Sequence, residues 1–184
     1  TPCSNPAGVD TLTKDLNLDT LIFKERNLQK VKRILVPTGG GPHSILGIQI
    51  AHDLAQNWGA EIEILRIARD LKGDPNNPIH KRYCEQLLED TRVQLELLNI
   101  SAPISIKSAE HVVPAVITYS KNFDLIVMGA SNDWRQEEYL SGSIPDKIAS
   151  SVDCSALMAR SASTTETSLS KVFWEQTIRL DLRP

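Results

Sequence analysis

Short apolar runs that alternate with helical periods constrain the fold of this chain more than any other feature. Five runs are typical of buried parallel strands, and they cover residues 33–37, 60–68, 103–107, 124–129 and 154–159. Strands that alternate with helices form a parallel sheet with right-handed crossovers. The sequence therefore predicts the α/β class, with a doubly wound five-stranded parallel sheet and helices on both faces.

Four helices are expected beside these strands. Apolar residues recur at spacings of three and four over 44–58, before Gly59, and again over 79–98. A third helix begins at Val112, with Pro114 tolerable only in its first turn, and a fourth is expected over 142–152. The run 124–129 is the most apolar of the strands, which places it at the centre of the sheet.

The two ends of the chain differ from this regular part. Residues 1–31 are interpreted as an N-terminal arm or linker, within which 20–23 could form a short strand. Residues 32–160 form the predicted α/β domain. Residues 161–184 are interpreted as a C-terminal linker rich in Ser and Thr, followed by an apolar tail that packs either on this domain or on a partner. The chain begins Thr-Pro rather than Met, which favours a piece of a longer protein.

Charge and cysteine usage exclude several classes of function. Twenty Lys and Arg residues against 23 Asp and Glu residues give a net charge of −3, so no general attraction to nucleic acid is expected. No apolar run reaches the roughly 18–20 residues of a membrane helix, so no direct membrane insertion is expected. Cys3, Cys84 and Cys154 are odd in number and far apart. They predict a reducing, cytoplasmic compartment rather than a disulfide framework.

Candidate ligand-binding residues follow two of the predicted strands. In an open α/β sheet the ligand crevice lies beyond the carboxyl ends of the strands, where the winding reverses. Residues 37–41 follow the first strand, residues 129–132 follow the fourth, and Gly142-Ser143 opens the last helix. Glycines allow a phosphate close to the backbone, and a helix N-terminus favours an anion. Turns and helix caps use the same residue types for structural reasons, so the pattern alone leaves both interpretations open.

The same residues carry a resemblance to a known family. Arg33-Ile-Leu-Val-Pro37, Asp124-Leu-Ile-Val-Met-Gly129, Gly142-Ser143 and Cys154, in this order and spacing, resemble the universal stress protein (UspA-like) family over residues 32–160. Its ATP-binding members carry Gly, two residues, Gly, nine residues, and then Gly with Ser or Thr. Gly129, Asn132, Gly142 and Ser143 keep that frame.

The resemblance implies a Rossmann-like fold of the adenine nucleotide alpha hydrolase type and a non-catalytic regulatory role in the stress response. It also implies binding of an adenine nucleotide, ATP or AMP, with Mg²⁺. Met128 and Ile67 would then contact the base, and the amides near Gly142 and Ser143 would hold phosphate. The full set implied by the resemblance is Thr38, Gly39, Gly40, Ile67, Met128, Gly129, Asn132, Gly142, Ser143 and Ile144.

Four departures from the family pattern keep an alternative open. Asn132 stands at the second Gly of the motif, and Gly39 stands where ATP-binding members have the Asp that holds the nucleoside. The loop 133–138 carries three negative charges and one positive charge, and Pro145 has no amide hydrogen to offer an anion. The alternative is a dimerisation or docking module with a vestigial pocket. As in family members, its homodimer would form through an exposed last strand, 154–159.

A second resemblance concerns the parent protein. The string Val-Pro-Thr-Gly-Gly-Gly-Pro-His over 36–43 resembles the variant found in stress-protein domains fused to membrane transporters, including amino-acid permeases and chloride channels. It implies a membrane-transporter parent chain with this domain on the cytoplasmic side.

Enzyme signatures are weak. There is neither a GxSxG motif nor a P-loop, and residues 38–44 lack the Ser and the Asp of the loop in pyrophosphate-releasing ATPases. The four histidines show no spacing typical of metal ligands. The sequence therefore predicts neither an enzyme nor a metal site.

Overall fold

The computed structural model describes residues 19–69, 77–130 and 143–160. These residues form six strands, which are β1 (Thr20–Lys24), β2 (Arg33–Pro37), β3 (Glu61–Arg69), β4 (Ile104–Ala109), β5 (Leu125–Gly129) and β6 (Ser155–Arg160). They also form four helices, which are α1 (Pro42–Trp58), α2 (Pro78–Leu97), α3 (Val112–Ser120) and α4 (Ile144–Ser151). Every strand and helix predicted from the apolar periods is present, with ends shifted by at most two residues.

The strands form one sheet in the order β1-β6-β5-β2-β3-β4. Strands β2 to β6 are mutually parallel, which confirms the doubly wound α/β prediction. The apolar strand β5 lies in the interior of the sheet beside β2, also as predicted. The predicted count of five strands is wrong, because β1 adds a sixth and antiparallel member.

Strand β1 lies within the segment interpreted as an arm and pairs along the whole of β6. Its register runs from Thr20 opposite Arg160 to Lys24 opposite Ala156. The half-buried Ile22 packs against the hydrophobic cluster on one face of the sheet. The expectation that the last strand is an exposed edge is therefore wrong. The unpaired backbone groups that would make β6 a pairing edge are already used by β1.

The alternating side chains of the strands build a core on each face of the sheet. Helices α1 and α2 cover one face, where Ile34, Val36, Ile64 and Val127 pack with Ile48 and Leu95. Helices α3 and α4 cover the other, where Leu35, Leu65 and Ile126 pack with Val116 and Ile148. Burial on both faces explains why these strands are continuous apolar runs in the sequence.

Some sequence predictions fall outside the described residues. They concern the loop that contains Asn132 and ends at Gly142, the linker and tail 161–184, and residues 1–18. In the part of the chain that the structure describes, no helix combines the length and the apolar character needed to cross a bilayer.

Candidate functional site

The crevice predicted from the winding of the chain lies at the carboxyl ends of β2 and β5. These two strands are neighbours and run parallel. After β2, the chain continues through α1 to β3, which is the neighbour of β2 toward one edge of the sheet. After β5, it continues through α4 to β6, which is the neighbour of β5 toward the other edge. Because α1 and α4 lie on opposite faces, the ends of β2 and β5 form the topological switch point where α/β proteins bind ligands.

The loop after β2 is hydrogen-bonded to β3, and one of its glycines, Gly39, is exposed to solvent. The amide of Thr38 donates to the carbonyl oxygen of Leu65 at 2.9 Å, and the Thr38 hydroxyl accepts from the Gly40 amide at 3.1 Å. Gly40 has a φ of +84°, in the left-handed region that favours glycine. Gly39 is exposed, and a β carbon there would have no neighbour within 4 Å. The missing Asp side chain would therefore fit at Gly39.

The end of β5 is in direct contact with the first turn of α1. A β carbon on Gly129 would collide with the backbone carbonyl of His43, and one on Gly47 would lie 2.9 Å from the Gly129 amide nitrogen. Real β carbons essentially never approach backbone atoms this closely. Glycine at 129 is therefore required by helix packing, whether or not a ligand binds there.

The two residues expected to contact a base lie on the same face of the sheet. Met128 is buried, with 2% of its surface exposed, and belongs to the core beneath α3 and α4. Ile67 is half-buried and packs against the same cluster. The structure thus brings this predicted pair onto one hydrophobic surface, but the side chain of Met128 faces the core.

The start of α4, the predicted phosphate site, is closed by a carboxylate. Ser143 caps the helix, and its hydroxyl donates to Asp146 Oδ2 at 2.6 Å. The Ser143 amide also donates to Asp146 Oδ2, at 3.3 Å, while the Asp146 amide donates to Ser143 Oγ at 3.2 Å. This is a complete capping box. A phosphate that used the Ser143 donors would have to displace the negatively charged Asp146 side chain.

The structure therefore brings together most of the predicted residues that it describes. Thr38, Gly39 and Gly40 end β2, Met128 and Gly129 end β5, and Ile67 lies on the adjacent β3. Ser143 and the half-exposed Ile144 begin the helix that precedes β6. Asn132 and Gly142 lie outside the described residues.

Arg66 is a residue of this site that sequence reasoning missed. It lies on β3 with only 7% of its surface exposed, and its guanidinium is the nearest group to the place that a Gly40 β carbon would occupy. Burial lowers the pKa of Arg66, and the nearby Asp90 opposes this effect. A single Arg inside the apolar run 64–68 is the signal that could have revealed it, since unpaired charges are rarely buried.

Gln94 on α2 joins Arg66 beneath the same loop. Its Nε2 donates to the Gly40 carbonyl oxygen at 2.9 Å. Its Oε1 is buried and has no hydrogen-bond partner among the described residues. Buried polar atoms are rarely left unpaired, so the floor of the crevice under Gly40 has an unsatisfied acceptor beside a buried cation.

Comparisons with known proteins show the family and agree with the fold. The sequence model of the universal stress protein family matches residues 30–160. No curated protein sequence matches the chain at a significant level.

Solved structures share the fold at low sequence identity. A universal stress protein in complex with cAMP has a TM-score of 0.59 and 15% identity, covering 72% of this chain and 99% of its own. UspA from Lactobacillus plantarum has a TM-score of 0.57 and 19% identity, with 72% and 99% covered. The functionally unknown protein PA1789 from Pseudomonas aeruginosa PAO1 has a TM-score of 0.60 and 13% identity, with 95% and 61% covered. The chain belongs to the universal stress protein family.

Proposed function

We propose that this chain is a non-catalytic regulatory domain that binds an adenine nucleotide at the carboxyl ends of β2 and β5. The observation that carries the proposal is the switch-point crevice itself, where the exposed Gly39 backbone and the end of β5 lie on adjacent strands. A structurally similar universal stress protein has been solved with cAMP, which supports the adenine nucleotide class.

The departures from the family pattern predict weak rather than tight binding. Without a side chain at Gly39, a hydrogen bond to the nucleoside is missing. Asp146 already occupies the donors of Ser143, and its charge opposes a phosphate. Each of these costs binding free energy on the order of 1–3 kcal/mol. Magnesium held by the phosphates of ATP or ADP would offset part of the repulsion from Asp146.

Isothermal titration calorimetry tests this function. The ligands are ATP, ADP, AMP and cAMP, each with and without Mg²⁺. The matched control is Gly142→Asp, which adds a second negative charge next to Ser143, where Asp146 already opposes an anionic ligand. Saturable binding that the control abolishes supports the proposal. Absence of binding by every ligand at millimolar concentration would remove nucleotide sensing as the function.

Hydrolysis is not part of the proposal. Among the described residues, no side chain lies within 4 Å of the place that a Gly39 β carbon would occupy, and we assign no general base there. We expect no rapid release of phosphate from ATP by the pure protein. Malachite-green detection of phosphate release over hours would measure this, and rapid release would contradict it.

A second candidate function is docking or homodimerisation, and the outer edge of the sheet favours it. Because β1 covers β6, the surface available on that side is β1, where Leu21 is 52% and Phe23 is 49% exposed. Light scattering on the wild type and Phe23→Asp tests it. A dimer that becomes a monomer in the variant supports docking through β1, and a wild-type monomer excludes a homodimer.

The sequence of residues 36–43 also bears on the protein to which this domain belongs. We propose that the domain regulates a membrane transporter or channel from the cytoplasmic side, as the resemblance in that string implies. Sequencing the parent transcript tests this directly. A reading frame with membrane spans contiguous with these residues supports the link, and a frame that encodes this domain alone contradicts it.

A further inference from the structure

Arg66 lies buried beneath the loop that lines the proposed crevice. Only 7% of its surface is exposed, and no hydrogen bond or ion pair joins its guanidinium to another residue of the described ranges. A guanidinium carries five N–H donors. Buried guanidinium groups are normally paired with a carboxylate or phosphate.

The position of the guanidinium directs it toward the crevice rather than into the core. A β carbon at Gly40 would collide with Arg66 Nη1, so the charged end of the side chain lies directly under this loop. The neighbouring Gly39 is exposed. Among the described residues, the guanidinium is therefore the nearest side-chain group to a ligand that rests on the β-carbon side of Gly40.

The surrounding groups favour a negative ligand at this point. Helix α1 begins at N-cap Gly41 with no side-chain cap and no acidic residue in its first turn, so its dipole adds positive potential beside Arg66. Asp90 and Tyr83 on α2 interact electrostatically with Arg66, but neither forms a salt bridge or a hydrogen bond with it. Helix α4 differs, because the carboxylate of Asp146 occupies its N-terminus.

From these observations we infer that Arg66 binds an oxyanion of the ligand, a phosphoryl or carboxylate group, at the carboxyl ends of β2 and β3. The inference rests on the proposed nucleotide function of the same crevice and names its anion subsite. The arginine fork can donate two parallel hydrogen bonds to such a group. Because Asp146 blocks the start of α4, the anionic end of the ligand lies at Arg66 instead.

The test compares two ligands that differ by one phosphate. Calorimetry measures AMP and adenosine binding to the wild type, Arg66→Met and Arg69→Met, the last being an exposed arginine of the same strand. We expect AMP to bind the wild type about tenfold or more tightly than adenosine. We expect this ratio to fall to about one in Arg66→Met and to persist in Arg69→Met. An unchanged ratio in Arg66→Met overturns the inference and leaves the nucleotide proposal standing.

The melting temperature of the ligand-free variant distinguishes a ligand-binding role of Arg66 from a structural role. Because no salt bridge joins the Arg66 guanidinium to another described residue, the ligand-free Arg66→Met variant should melt at a temperature no lower than that of the wild type. A lower melting temperature contradicts the inference, because it would show that the guanidinium stabilises the fold. If the Met variant does not fold, Arg66→Lys keeps the charge, and a weakened AMP preference there carries the same conclusion.

Simple anions separate this inference from the nucleotide proposal and distinguish the two sources of the oxyanion. If neither AMP nor adenosine binds, but inorganic phosphate or acetate raises the melting temperature of the wild type and not of Arg66→Met, the anion subsite stands and the nucleotide proposal fails. Protection by phosphate alone identifies a phosphoryl ligand, and protection by acetate alone identifies a carboxylate. No effect of any of the four compounds overturns the anion subsite at Arg66.

Discussion

Gly129 lies against the backbone of His43 so closely that a β carbon on residue 129 would collide with the His43 carbonyl. The glycine that marks the end of β5 in the family motif is therefore also the point where α1 packs onto the sheet. Loss of ligand binding after substitution of Gly129 would not by itself identify a ligand contact.

Substitution of Gly129 by Ala should destabilise the protein. The added methyl group forces α1 away from β5, and overpacking of this kind costs about 1–3 kcal/mol. Urea unfolding followed by circular dichroism measures the effect. Gly39→Ala is the matched control, because its β carbon would meet nothing within 4 Å, and it should leave the unfolding midpoint unchanged. Equal midpoints for both variants would show that α1 does not pack as described.

Restoring the acidic residue of the family pattern at Gly39 should strengthen nucleotide binding. The side chain fits, because the position is exposed and open, and a charged hydrogen bond to the nucleoside is worth about tenfold in affinity. Calorimetry with AMP on Gly39→Asp measures it, with Gly39→Ala as the control for the added β carbon. Weaker binding by Gly39→Asp than by Gly39→Ala would contradict this orientation of the ligand.

Tyr119 should make stability fall at high pH. Burial, together with a hydrogen bond to Glu63, raises the pKa of Tyr119 above its ordinary value. A group whose pKa is raised on folding stabilises below its unfolded pKa, near pH 10, and this stabilisation is lost as the pH rises through the folded pKa. Free energies of unfolding between pH 8 and pH 11 should therefore fall more steeply for the wild type than for Tyr119→Phe.

The same tyrosine belongs to a polar network at the start of the sheet. Glu63 Oε1 also accepts from Ser105 Oγ at 2.7 Å, and Arg33 lies 3.6 Å from Glu63 Oε2. At pH 7, Tyr119→Phe removes the hydroxyl that donates to Glu63 Oε1 and lies 3.1 Å from Ser105 Oγ, and it should cost about 1 kcal/mol. A variant as stable as the wild type at both neutral and alkaline pH would contradict the described network.

The two described cysteines should differ in reactivity. Both thiols are half-buried, but burial raises the pKa of the Cys154 thiol, whereas the Cys84 sulfur lies 3.6 Å from His80 Nε2. Since the thiolate is the reactive form, iodoacetamide at pH 7.5 should label Cys84 about tenfold faster than Cys154. Peptide mass mapping resolves the sites, and urea should abolish the difference. Faster labelling of Cys154 than of Cys84 in the folded protein would contradict the raised pKa of Cys154.

Strand β1 should control association through β6. Ile22 packs against the core, whereas Lys24 on the same strand is exposed, so Ile22→Asp should detach β1 and Lys24→Asp should not. Detachment uncovers the backbone edge of β6, which then pairs with another chain. Light scattering should show larger species for Ile22→Asp alone. Identical masses for both variants would show that β1 does not protect this edge.

The parts of the fold that could be predicted are those that the local periodicity of apolar residues determines. Strands β2 to β6 are apolar runs because both of their faces are buried, and the run that ends at Gly129 lies in the sheet interior for the same reason. The pairing of β1 with β6 was not predictable, because only the single residue Ile22 faces the core. A strand at the edge of a sheet carries little of the pattern that identifies strands.

The candidate site was predictable in its place but not in its electrostatics. Winding order and family resemblance locate the ends of β2 and β5 together. The roles of Asp146 and Arg66 depend on contacts that sequence spacing does not show, since one side chain folds back onto Ser143 and the other reaches a loop on a neighbouring strand. The proposed position of the anion depends on these two charges.

The most direct test of the account is nuclear magnetic resonance of ¹⁵N-labelled protein titrated with AMP. We predict saturable shifts of the backbone amides at 38–41, at Gly129 and Ala130, and at Ser143, all at the carboxyl ends of the strands. A surface depression at the opposite end of the sheet, lined in part by Gly59, Glu61 and Ser101, is the natural comparison. Shifts confined to that depression, or no shifts at all, would contradict the central claim.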